Sequence, residues 1–302
     1  MELSLVVLAA GVGSRYGGLK QLAPIGPGGE TLLEYSVFDA LRAGFERIVL
    51  VVRPQTEAQF LSAFGDGMAR HVPLTYVHQT LTPLPAGCEL PEERQRPWGT
   101  GQAILAAAPV VEGAFAVVNA DDFYGQDSFA TLSRFLRDTA NTAGLGFAMM
   151  GFEIGQTLTD AGPTSRALCE LDDRGRLQRI VEIAEMWKRD AGGAYRDDSG
   201  RQVEVGANEL VSMNMWGFTG ALFPLLEARF KRFLGQEGLS STAEFLIPEV
   251  VQSLVDADRC QVDVLRRTGR WCGITYPADT QRARAMLASL VAAGEYPASL
   301  WD

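Results

Sequence analysis

The chain has 302 residues, of which 47% are hydrophobic, so it can bury a large core as one α/β domain or as two. Its formal net charge of −10 excludes a general attraction for nucleic acid or for anionic membranes. An acidic protein that binds polyphosphates must concentrate positive charge in one place, so individual Arg and Lys residues in its loops become informative.

The first half of the chain alternates between short apolar runs and stretches with apolar residues at helical spacing. This alternation predicts βαβ units that build a mainly parallel sheet with helices on both faces. The predicted strands are 3–9, 47–52, 74–78 and 115–119. The predicted helices are 31–43, 56–64, 101–108 and 128–138.

The second half is less regular. Strands are predicted at 148–153, 167–172, 176–182, 210–217, 261–266 and 271–275, and helices at 221–233, 242–256 and 279–293. Residues 172–175 are typical of a hairpin turn, and the polar, Gly-rich stretch 188–202 predicts an exposed excursion. Without repeats or a clear linker, we predict one domain that carries a β-rich lobe.

Residue counts narrow the class of protein further. The four cysteines form no CxxC pair, which fits a reducing cytoplasm and gives no sign of a zinc site or a disulfide framework. With two histidines, a His-based metal cluster or Ser-His-Asp catalysis is not expected. No apolar run approaches the roughly 20 residues of a membrane span, and no basic residues precede the first strand. We therefore expect a cytoplasmic protein that does not bind membranes.

A glycine-rich loop follows the first predicted strand and contains Gly11, Gly13, Gly17 and Gly18. Ligands of open α/β sheets bind beyond the carboxyl ends of strands, and glycines there let backbone N–H groups approach phosphates. Arg15 and Lys20 add the charge that a polyphosphate needs, although such a loop can also be a flexible turn before a helix. The spacing fits neither the GxGxxG dinucleotide motif nor a Walker A loop, where Ser or Thr would replace Gln21.

The segment 8–21, LAAGVGSRYGGLKQ, resembles the signature of the nucleotidyltransferase superfamily that includes the sugar-1-phosphate nucleotidylyltransferases. The resemblance implies a Rossmann-like three-layer α/β/α fold with a mainly parallel mixed sheet and a small β-rich sugar-binding lobe. Within one domain, residues 1–145 would bind the nucleotide and 146–302 the sugar phosphate. Arg15 would grip the β and γ phosphates, and Lys20 would lie near the reacting phosphate. The other loop residues implied to bind the nucleotide are Leu8, Ala9, Ala10, Gly11, Gly13 and Ser14.

Two carboxylates, Asp121 and Asp122, stand where the strand 115–119 ends. Adjacent half-buried acids are unfavourable without a counter-cation, and Mg²⁺ prefers carboxylate and phosphate oxygens. A helix N-cap is the alternative role. The stretch 119–125, NADDFYG, resembles the Gly-Asp and Phe-Tyr-Gly elements of sugar nucleotidylyltransferases. This implies that Asp121 binds Mg²⁺, with Asp122 or Asp279 as further candidate ligands.

The same resemblance assigns the rest of the site. Gln79, after the strand 74–78, and Gly99 with Thr100 correspond to positions that bind the nucleotide base, where the family reads uracil or thymine. A side-chain amide offers both a donor and an acceptor, which suits the edge of a pyrimidine. Glu182 and Asn214 correspond to residues that contact the sugar.

The chain departs from the family pattern in the acceptor half. Residues 183–184, Ile-Ala, replace the Lys-Pro that usually follows the sugar-binding Glu, so the usual phosphate-contacting Lys is missing. Arg179 and Lys188 are candidate replacements. Gly273 stands where many relatives have an Asp that binds the metal.

These features predict a Mg²⁺-dependent enzyme that joins UTP or dTTP to a sugar 1-phosphate and releases pyrophosphate. Catalysis would consist of in-line positioning and of charge stabilisation. The pair Lys20-Gln21 resembles the Lys-Gln of alditol- and erythritol-phosphate cytidylyltransferases, so a cytidylyltransferase for a polyol or amino-alcohol phosphate is an alternative. The departures at 183–184 and 273 leave a third hypothesis, a regulator that binds a sugar nucleotide without turnover. The sequence does not fix the oligomeric state.

Overall fold

The computed structural model of the chain describes residues 2–11, 18–65, 67–139, 145–237, 240–266 and 270–302. Within these ranges the strands are β1 (Ser4–Leu8), β2 (Arg47–Val52), β3 (Leu74–His78), β4 (Ala114–Asn119), β5 (Asp122–Phe123), β6 (Gly146–Glu153), β7 (Thr164–Leu171), β8 (Leu177–Arg189), β9 (Gly192–Arg196), β10 (Gln202–Val205), β11 (Leu210–Thr219), β12 (Gln261–Arg266) and β13 (Cys272–Gly273). The α-helices are α1 (Leu32–Arg42), α2 (Glu57–Phe64), α3 (Thr100–Ala106), α4 (Gln126–Thr139), α5 (Leu222–Gln236), α6 (Ile247–Asp256) and α7 (Asp279–Ala292). None of the helices in these ranges has the length and apolar character of a membrane span.

A mixed sheet forms the centre of the structure. Its strands follow the order β10-β9-β8-β7-β11-β4-β1-β2-β3, and β6 and β12 join it through β11. The strands β3, β2, β1 and β4 are parallel to one another, whereas β11 runs antiparallel to β4. The carboxyl ends of the parallel strands therefore meet at one edge of the sheet, which is where open α/β sheets bind ligands.

Alternate residues of β1 belong to two different cores, because successive side chains of a strand point to opposite faces of the sheet. Leu5 and Val7 lie in a core that also contains buried residues of α1, α2 and α4. Val6 and Leu8 lie in a second core with buried residues of α3, α5 and α6. This is the predicted three-layer α/β/α arrangement. The uninterrupted apolar runs in the sequence reflect strands that are buried on both faces.

A β-rich ribbon extends the sheet beyond β7. Strand β8 pairs antiparallel with both β7 and β9, and β10 pairs antiparallel with β9. The stretch 188–202 is largely exposed, as predicted, and it is a paired ribbon that contains the end of β8 and all of β9. The ribbon satisfies its backbone hydrogen bonds by pairing and places only a few side chains, such as Met186 and Val205, in a core, so its sequence needs no regular apolar pattern.

A small third core attaches α7 to the end of β4. Strands β5 and β13 pair antiparallel, with Cys272 opposite Phe123 and Gly273 opposite Asp122. Phe123 and Cys272 pack there with buried residues of α1 and α7. The strand predicted at 271–275 is thus only two residues long, and its position is directly beside the acidic segment.

The helix predicted at 242–256 begins later, at Ile247, with Pro248 in its first turn. Proline suits that position because the first-turn N–H groups have no partner within the helix. The preceding chain instead binds the loop before α3, since Phe245 N donates to Trp98 O at 2.6 Å and Phe245 O accepts from Gly101 N at 2.9 Å. These contacts fix one wall of the cleft described below.

Asp39 of α1 is a buried carboxyl whose protonation is linked to folding. Its Oδ2 accepts a hydrogen bond of 2.7 Å from the Tyr296 hydroxyl, and burial raises the pKa of Asp39 to about 7. Between about pH 4 and pH 7 the folded protein holds this proton more tightly than the unfolded chain, so wild-type stability falls as the pH rises. Asp39→Asn keeps an acceptor for Tyr296 and has no proton to lose. We expect it to gain stability relative to wild type by up to about 1.4 kcal/mol per pH unit across this window.

Urea unfolding of wild type and Asp39→Asn at several pH values measures this difference. Asp138→Asn, on the exposed face of α4, is the matched control and should follow wild type at every pH. A stability difference between Asp39→Asn and wild type that stays constant with pH would contradict the linkage.

Candidate active site

Two adjoining chambers open at the carboxyl ends of β1 and β4. The large chamber, about 590 Å³, is lined by Leu8, Ala10, Gly11, Lys20, Gln21, Gln79, Arg96, Pro97, Gly99, Thr100, Ala103, Asn119, Asp121, Asn214, Glu244 and Leu246. The small chamber, about 230 Å³, is lined by Thr100, Asn119, Asp121, Asp122, Ser165, Arg166, Ala167, Glu182, Ser212, Met213, Asn214, Leu246, Pro248, Trp271 and Thr275. Asp121 therefore faces both chambers and stands where they meet.

The structure brings most of the predicted site residues to these chambers. Those that line the large chamber alone are Leu8, Ala10, Gly11, Lys20, Gln79 and Gly99. Asp122 and Glu182 line the small chamber alone, and Thr100, Asp121 and Asn214 line both. Ala9 lines neither, because it is buried and its N–H donates to Val51 O at 2.8 Å. Gly13, Ser14 and Arg15 lie outside the described residues.

Lys20 and Asp121 form an ion pair across the junction of the chambers. Lys20 belongs to a short 3₁₀ turn, Lys20–Leu22, and its Nζ also donates to Ile274 O at 2.9 Å. The two side chains are 18% and 19% exposed, so the pair is accessible from the cleft. Three separate segments thus hold one cation and one anion together at the sheet edge.

Asp122 points into the protein beside this pair. Its Oδ2 accepts a hydrogen bond of 2.9 Å from Asn119 Nδ2 and lies 3.2 Å from the Tyr124 hydroxyl. Burial first, and then the neighbouring charge of Asp121, raises the pKa of Asp122 to about 7. The two adjacent carboxyls therefore differ in character, with Asp121 accessible from the cleft and Asp122 held within a hydrogen-bonded network.

Asn214 is fixed on the floor between the chambers. Its φ of +63° is unusual for a residue other than glycine, although asparagine tolerates this conformation better than most. It lies where the pairing of β11 with β6 is irregular. Its Nδ2 donates to Asn119 Oδ1 at 3.0 Å, and its Oδ1 accepts from Trp216 Nε1 at 3.1 Å. The amide is held at both ends and cannot rotate freely.

Gln79 has a fixed orientation in the large chamber. Its Nε2 donates to Gly99 O and to Gln102 Oε1, each at 2.9 Å. Both amide hydrogens are thus used, and the atom that a ligand can meet is the acceptor Oε1. Gly99 has a φ of +104°, and a Cβ there would lie 2.7 Å from Phe245 O, so this position requires glycine.

Arg166 is a site residue that sequence reasoning missed. It lies on β7 beside Glu182, whose Oε1 accepts a short hydrogen bond from Ser165 Oγ and whose pKa burial raises above its ordinary value. The sequence offers only a weak signal for it, because half of the residues of Thr164–Leu171 are polar and the predicted strand begins at 167. The two candidate cations that the sequence offered instead line neither chamber. Arg179 pairs with Glu170, and Lys188 pairs with Asp160 on the surface.

Asp279 lies outside both chambers and holds a turn. Its Oδ2 accepts from the N–H groups of Thr275 and Tyr276 at 3.0 and 2.7 Å, and its Oδ1 accepts from Thr159 Oγ1 at 2.9 Å. In the parts of the chain that the structure describes, no group of three or more His, Cys, Asp or Glu side chains could hold a metal ion.

Gly273 leaves no space for a side chain. A Cβ built there would overlap Asp122 Oδ1 and lie 2.6 Å from the Trp271 ring. We expect Gly273→Ala to force the Asp122 carboxyl or the backbone of β13 to move. Overpacking of this kind costs about 1–3 kcal/mol of unfolding free energy, and turnover should fall with it.

Urea unfolding and turnover of Gly273→Ala measure both effects. Gly235→Ala is the matched control, because a Cβ at that exposed helical position meets no atom within 4 Å and should be neutral or slightly stabilising. If Gly273→Ala retained wild-type stability and turnover, the close packing of Gly273 against Asp122 would be unimportant.

Residues 5–143 match the family model of the MobA-like NTP transferase domain. This segment, slightly under half of the chain, is therefore similar to an NTP transferase domain. It contains β1, the glycine-rich loop, Gln79, Gly99 and Asp121, and the match confirms the recognition of the chain as a nucleotidyltransferase. No curated protein matches the sequence closely enough to count as a relative.

Solved structures of similar fold cover nearly the whole of this chain. The inositol-1-phosphate CTP transferase from T. maritima matches with a TM-score of 0.60 and 18% identity, over 95% of this chain and 96% of that chain. A UDP-glucose pyrophosphorylase complexed with UDP-glucose matches with a TM-score of 0.61 and 16% identity, over 96% and 99%. A Bacillus anthracis protein, provisionally assigned as a glucose-1-phosphate thymidylyltransferase and solved with sucrose, matches with a TM-score of 0.61 and 14% identity, over 94% and 95%. These likenesses confirm the predicted α/β fold class.

Proposed function

We propose that this nucleotidyltransferase condenses a nucleoside triphosphate with a sugar 1-phosphate and releases pyrophosphate. UTP or dTTP is the favoured donor. The observation that carries the proposal is the position of Asp121, which faces both chambers and is paired with Lys20 where the chambers meet. A reaction between two phosphates needs this arrangement of charge between its two substrates.

The sizes and positions of the two chambers support the assignment of one chamber to each substrate. The large chamber, about 590 Å³, follows the glycine-rich loop and would hold the nucleotide, mainly through residues of 1–145. The small chamber, about 230 Å³, takes Glu182 and Arg166 from the second half of the chain and would hold the sugar phosphate. Gly13, Ser14 and Arg15 would complete the grip on the triphosphate.

The donor set at the junction fits Mg²⁺. Asp121 offers an accessible carboxylate, and Mg²⁺ is commonly bound by one or two carboxylates together with substrate phosphates. Asp122 is buried within a hydrogen-bonded network and Asp279 lines neither chamber, so we assign the ion to Asp121, which lines both. When bound, Mg²⁺ would neutralise charge on the reacting phosphates.

The chain's own residues position the reactants and balance their charge. An oxygen of the acceptor phosphate attacks the α-phosphorus, a new P–O bond forms, and the bond to the β-phosphate oxygen breaks to release pyrophosphate. Lys20 would neutralise the charge that accumulates at the α-phosphate, and Arg15 would hold the leaving pyrophosphate. The acceptor phosphate is already ionised, so no general base is needed. His71 and His78 line neither chamber.

The orientation of Gln79 supports a pyrimidine nucleotide as the donor, but it does not distinguish uracil, thymine and cytosine. Its Oε1 is an acceptor, and it can meet N3–H of uracil or thymine or the exocyclic amine of cytosine. CTP with a polyol or amino-alcohol phosphate is therefore the second candidate pair.

A screen of nucleotides against acceptors tests the proposal. Wild-type protein with Mg²⁺ is mixed with UTP, dTTP or CTP and with sugar 1-phosphates, polyol phosphates or amino-alcohol phosphates, and released pyrophosphate is measured. We expect release with UTP or dTTP and a sugar 1-phosphate. Release with CTP alone would favour the second candidate. Nucleotide binding without release from any pair would favour a regulator and contradict the proposal.

A further inference from the structure

Arg166 lies in the wall of the small chamber and is almost completely buried. It projects from β7, which pairs antiparallel with β8, and it stands directly opposite Ile183. Its side chain is only 6% exposed, and its guanidinium lies 5.3 Å from the centre of the Trp271 ring. A buried guanidinium costs desolvation energy, so its position beside a cavity calls for an explanation.

The charges around the small chamber make Arg166 exceptional. Three carboxyl groups line this chamber, those of Asp121, Asp122 and Glu182. Arg166 is the one cationic side chain among the described residues that line it. A phosphate monoester carries between one and two negative charges at neutral pH, and carboxylates alone would repel it. An anion can enter this chamber only where a cation is already in place.

The guanidinium is anchored in a way that leaves capacity for a ligand. Nε donates to Thr157 Oγ1 at 3.1 Å, Nη1 donates to Ser165 O at 2.6 Å, and Nη2 donates to Thr157 O. A guanidinium has five N–H groups, so one N–H on each terminal nitrogen is left after these three bonds. Two N–H groups of this kind are what a bidentate contact with phosphate oxygens requires.

Burial lowers the pKa of Arg166 to about 10, and the nearby carboxylates of Asp122, Glu182 and Asp279 oppose that shift. The group therefore stays cationic at neutral pH. Its bonds to Thr157 and its contact with Trp271 hold the plane of the guanidinium before a ligand arrives. A preorganised cation binds an anion with less loss of side-chain freedom than a mobile surface Lys.

We infer that Arg166 binds the phosphate group of the acceptor and sets its position in the small chamber. This inference rests on the proposed function, because it assumes that the small chamber receives the acceptor. Arg166 would also replace the phosphate-contacting Lys that is missing at 183, since it occupies the position opposite Ile183 on the neighbouring strand. The acceptor class is thus a phosphate monoester whose hydroxyl groups meet Glu182 and Asn214.

A binding experiment tests the site without turnover. The large chamber is first filled with Mg²⁺ and the α,β-methylene analogue of UTP or CTP, whichever binds more tightly, because this analogue cannot release pyrophosphate. Inorganic phosphate is then titrated calorimetrically into wild type, Arg166→Lys and Arg166→Gln. We expect phosphate affinity to fall about tenfold in Arg166→Lys, which loses the bidentate fork, and further in Arg166→Gln, which loses the charge.

Two control variants separate binding from folding. Arg179→Gln removes an exposed Arg from the neighbouring strand and should bind phosphate as wild type does. Thr157→Val removes one anchor of Arg166 but keeps the cation, so it reports how much a loosened segment alone weakens binding. Affinity for the nucleotide analogue should stay within about twofold of wild type in every variant, because Arg166 does not line the large chamber.

The outcomes distinguish this site from the proposed function. Unchanged phosphate affinity in folded Arg166→Gln, or in Arg166→Lys if the Gln variant does not fold, would overturn the inference. Absence of phosphate binding to wild type would overturn it as well. A third outcome is phosphate binding that depends on Arg166 in a protein that releases no pyrophosphate with any pair of substrates. This outcome would support the anion site and contradict the proposed function. Where turnover is found, Arg166→Lys should raise the KM of the acceptor about tenfold and leave the KM of the nucleotide unchanged.

Discussion

Asp121→Asn is expected to lower turnover by about 10²–10³-fold while the protein stays folded. Asparagine keeps the size of the side chain and one acceptor oxygen, but it removes the charge that pairs with Lys20 and would bind Mg²⁺. The loss should fall on kcat, because this charge acts on the phosphates as they react. Nucleotide binding measured without Mg²⁺ should change little.

Steady-state pyrophosphate release and a thermal melt measure these effects. Asp173→Asn, in the exposed turn between β7 and β8, removes a carboxylate far from the cleft and serves as the control. It should retain wild-type turnover. An Asp121→Asn protein with wild-type kcat would show that the carboxylate at the junction of the chambers takes no part in the reaction.

Lys20→Met is expected to have an effect of similar size, a loss of about 10²–10³-fold in kcat. Methionine retains the aliphatic length of the side chain, but it removes the cation that contacts Asp121 and Ile274 O. Without it, negative charge at the α-phosphate has one neutralising group fewer. The carboxylate of Asp121 also loses its partner, so the Mg²⁺ requirement should shift as well as the rate.

The chain provides a matched control for this variant. Lys188 forms an ion pair with Asp160 at 2.7 Å, and Asp160 is largely exposed on the surface. Exposed pairs contribute little to stability, so Lys188→Met should leave both stability and kcat near wild type. Equal rates for the Lys20→Met and Lys188→Met variants would remove Lys20 from the proposed mechanism.

The parallel centre of the fold is predictable from the sequence because its strands are buried on both faces. Apolar runs of five or six residues then stand out, and the predicted bounds of β2 coincide with those observed. The predicted bounds of the partly buried edge strand β3 coincide as well. The ribbon formed by β9 and β10 is not predictable in this way, since backbone pairing at the edge of a sheet places no strict demand on its side chains. The late start of α6 follows from Pro248, which the apolar pattern alone does not locate.

The site is predictable where short sequence segments define it. Lys20, Gln79 and Asp121 lie within or directly after predicted strands and loops, so strand order alone brings them to one edge of the sheet. Asp122 and Gly273 are different, because their contact depends on a two-residue strand pair formed across about 150 positions of the chain. Arg166 likewise reaches the chamber only through the register of β7 on β8. A search for sequence motifs cannot detect the contact of Asp122 with Gly273 or the position of Arg166, because both depend on how the strands pair.

The central claim is that the cleft transfers a nucleotidyl group between two phosphates, and ³¹P NMR of the reaction mixture tests it most directly. Wild-type protein is incubated with Mg²⁺, UTP or dTTP and a sugar 1-phosphate. We predict equal amounts of free pyrophosphate and of a product in which the α-phosphorus is joined to the acceptor phosphate, with both signals strongly reduced in Asp121→Asn after the same incubation time. The claim would be contradicted if pyrophosphate and a nucleoside monophosphate formed without any acceptor. It would also be contradicted if the triphosphate stayed unchanged with every acceptor and every donor base.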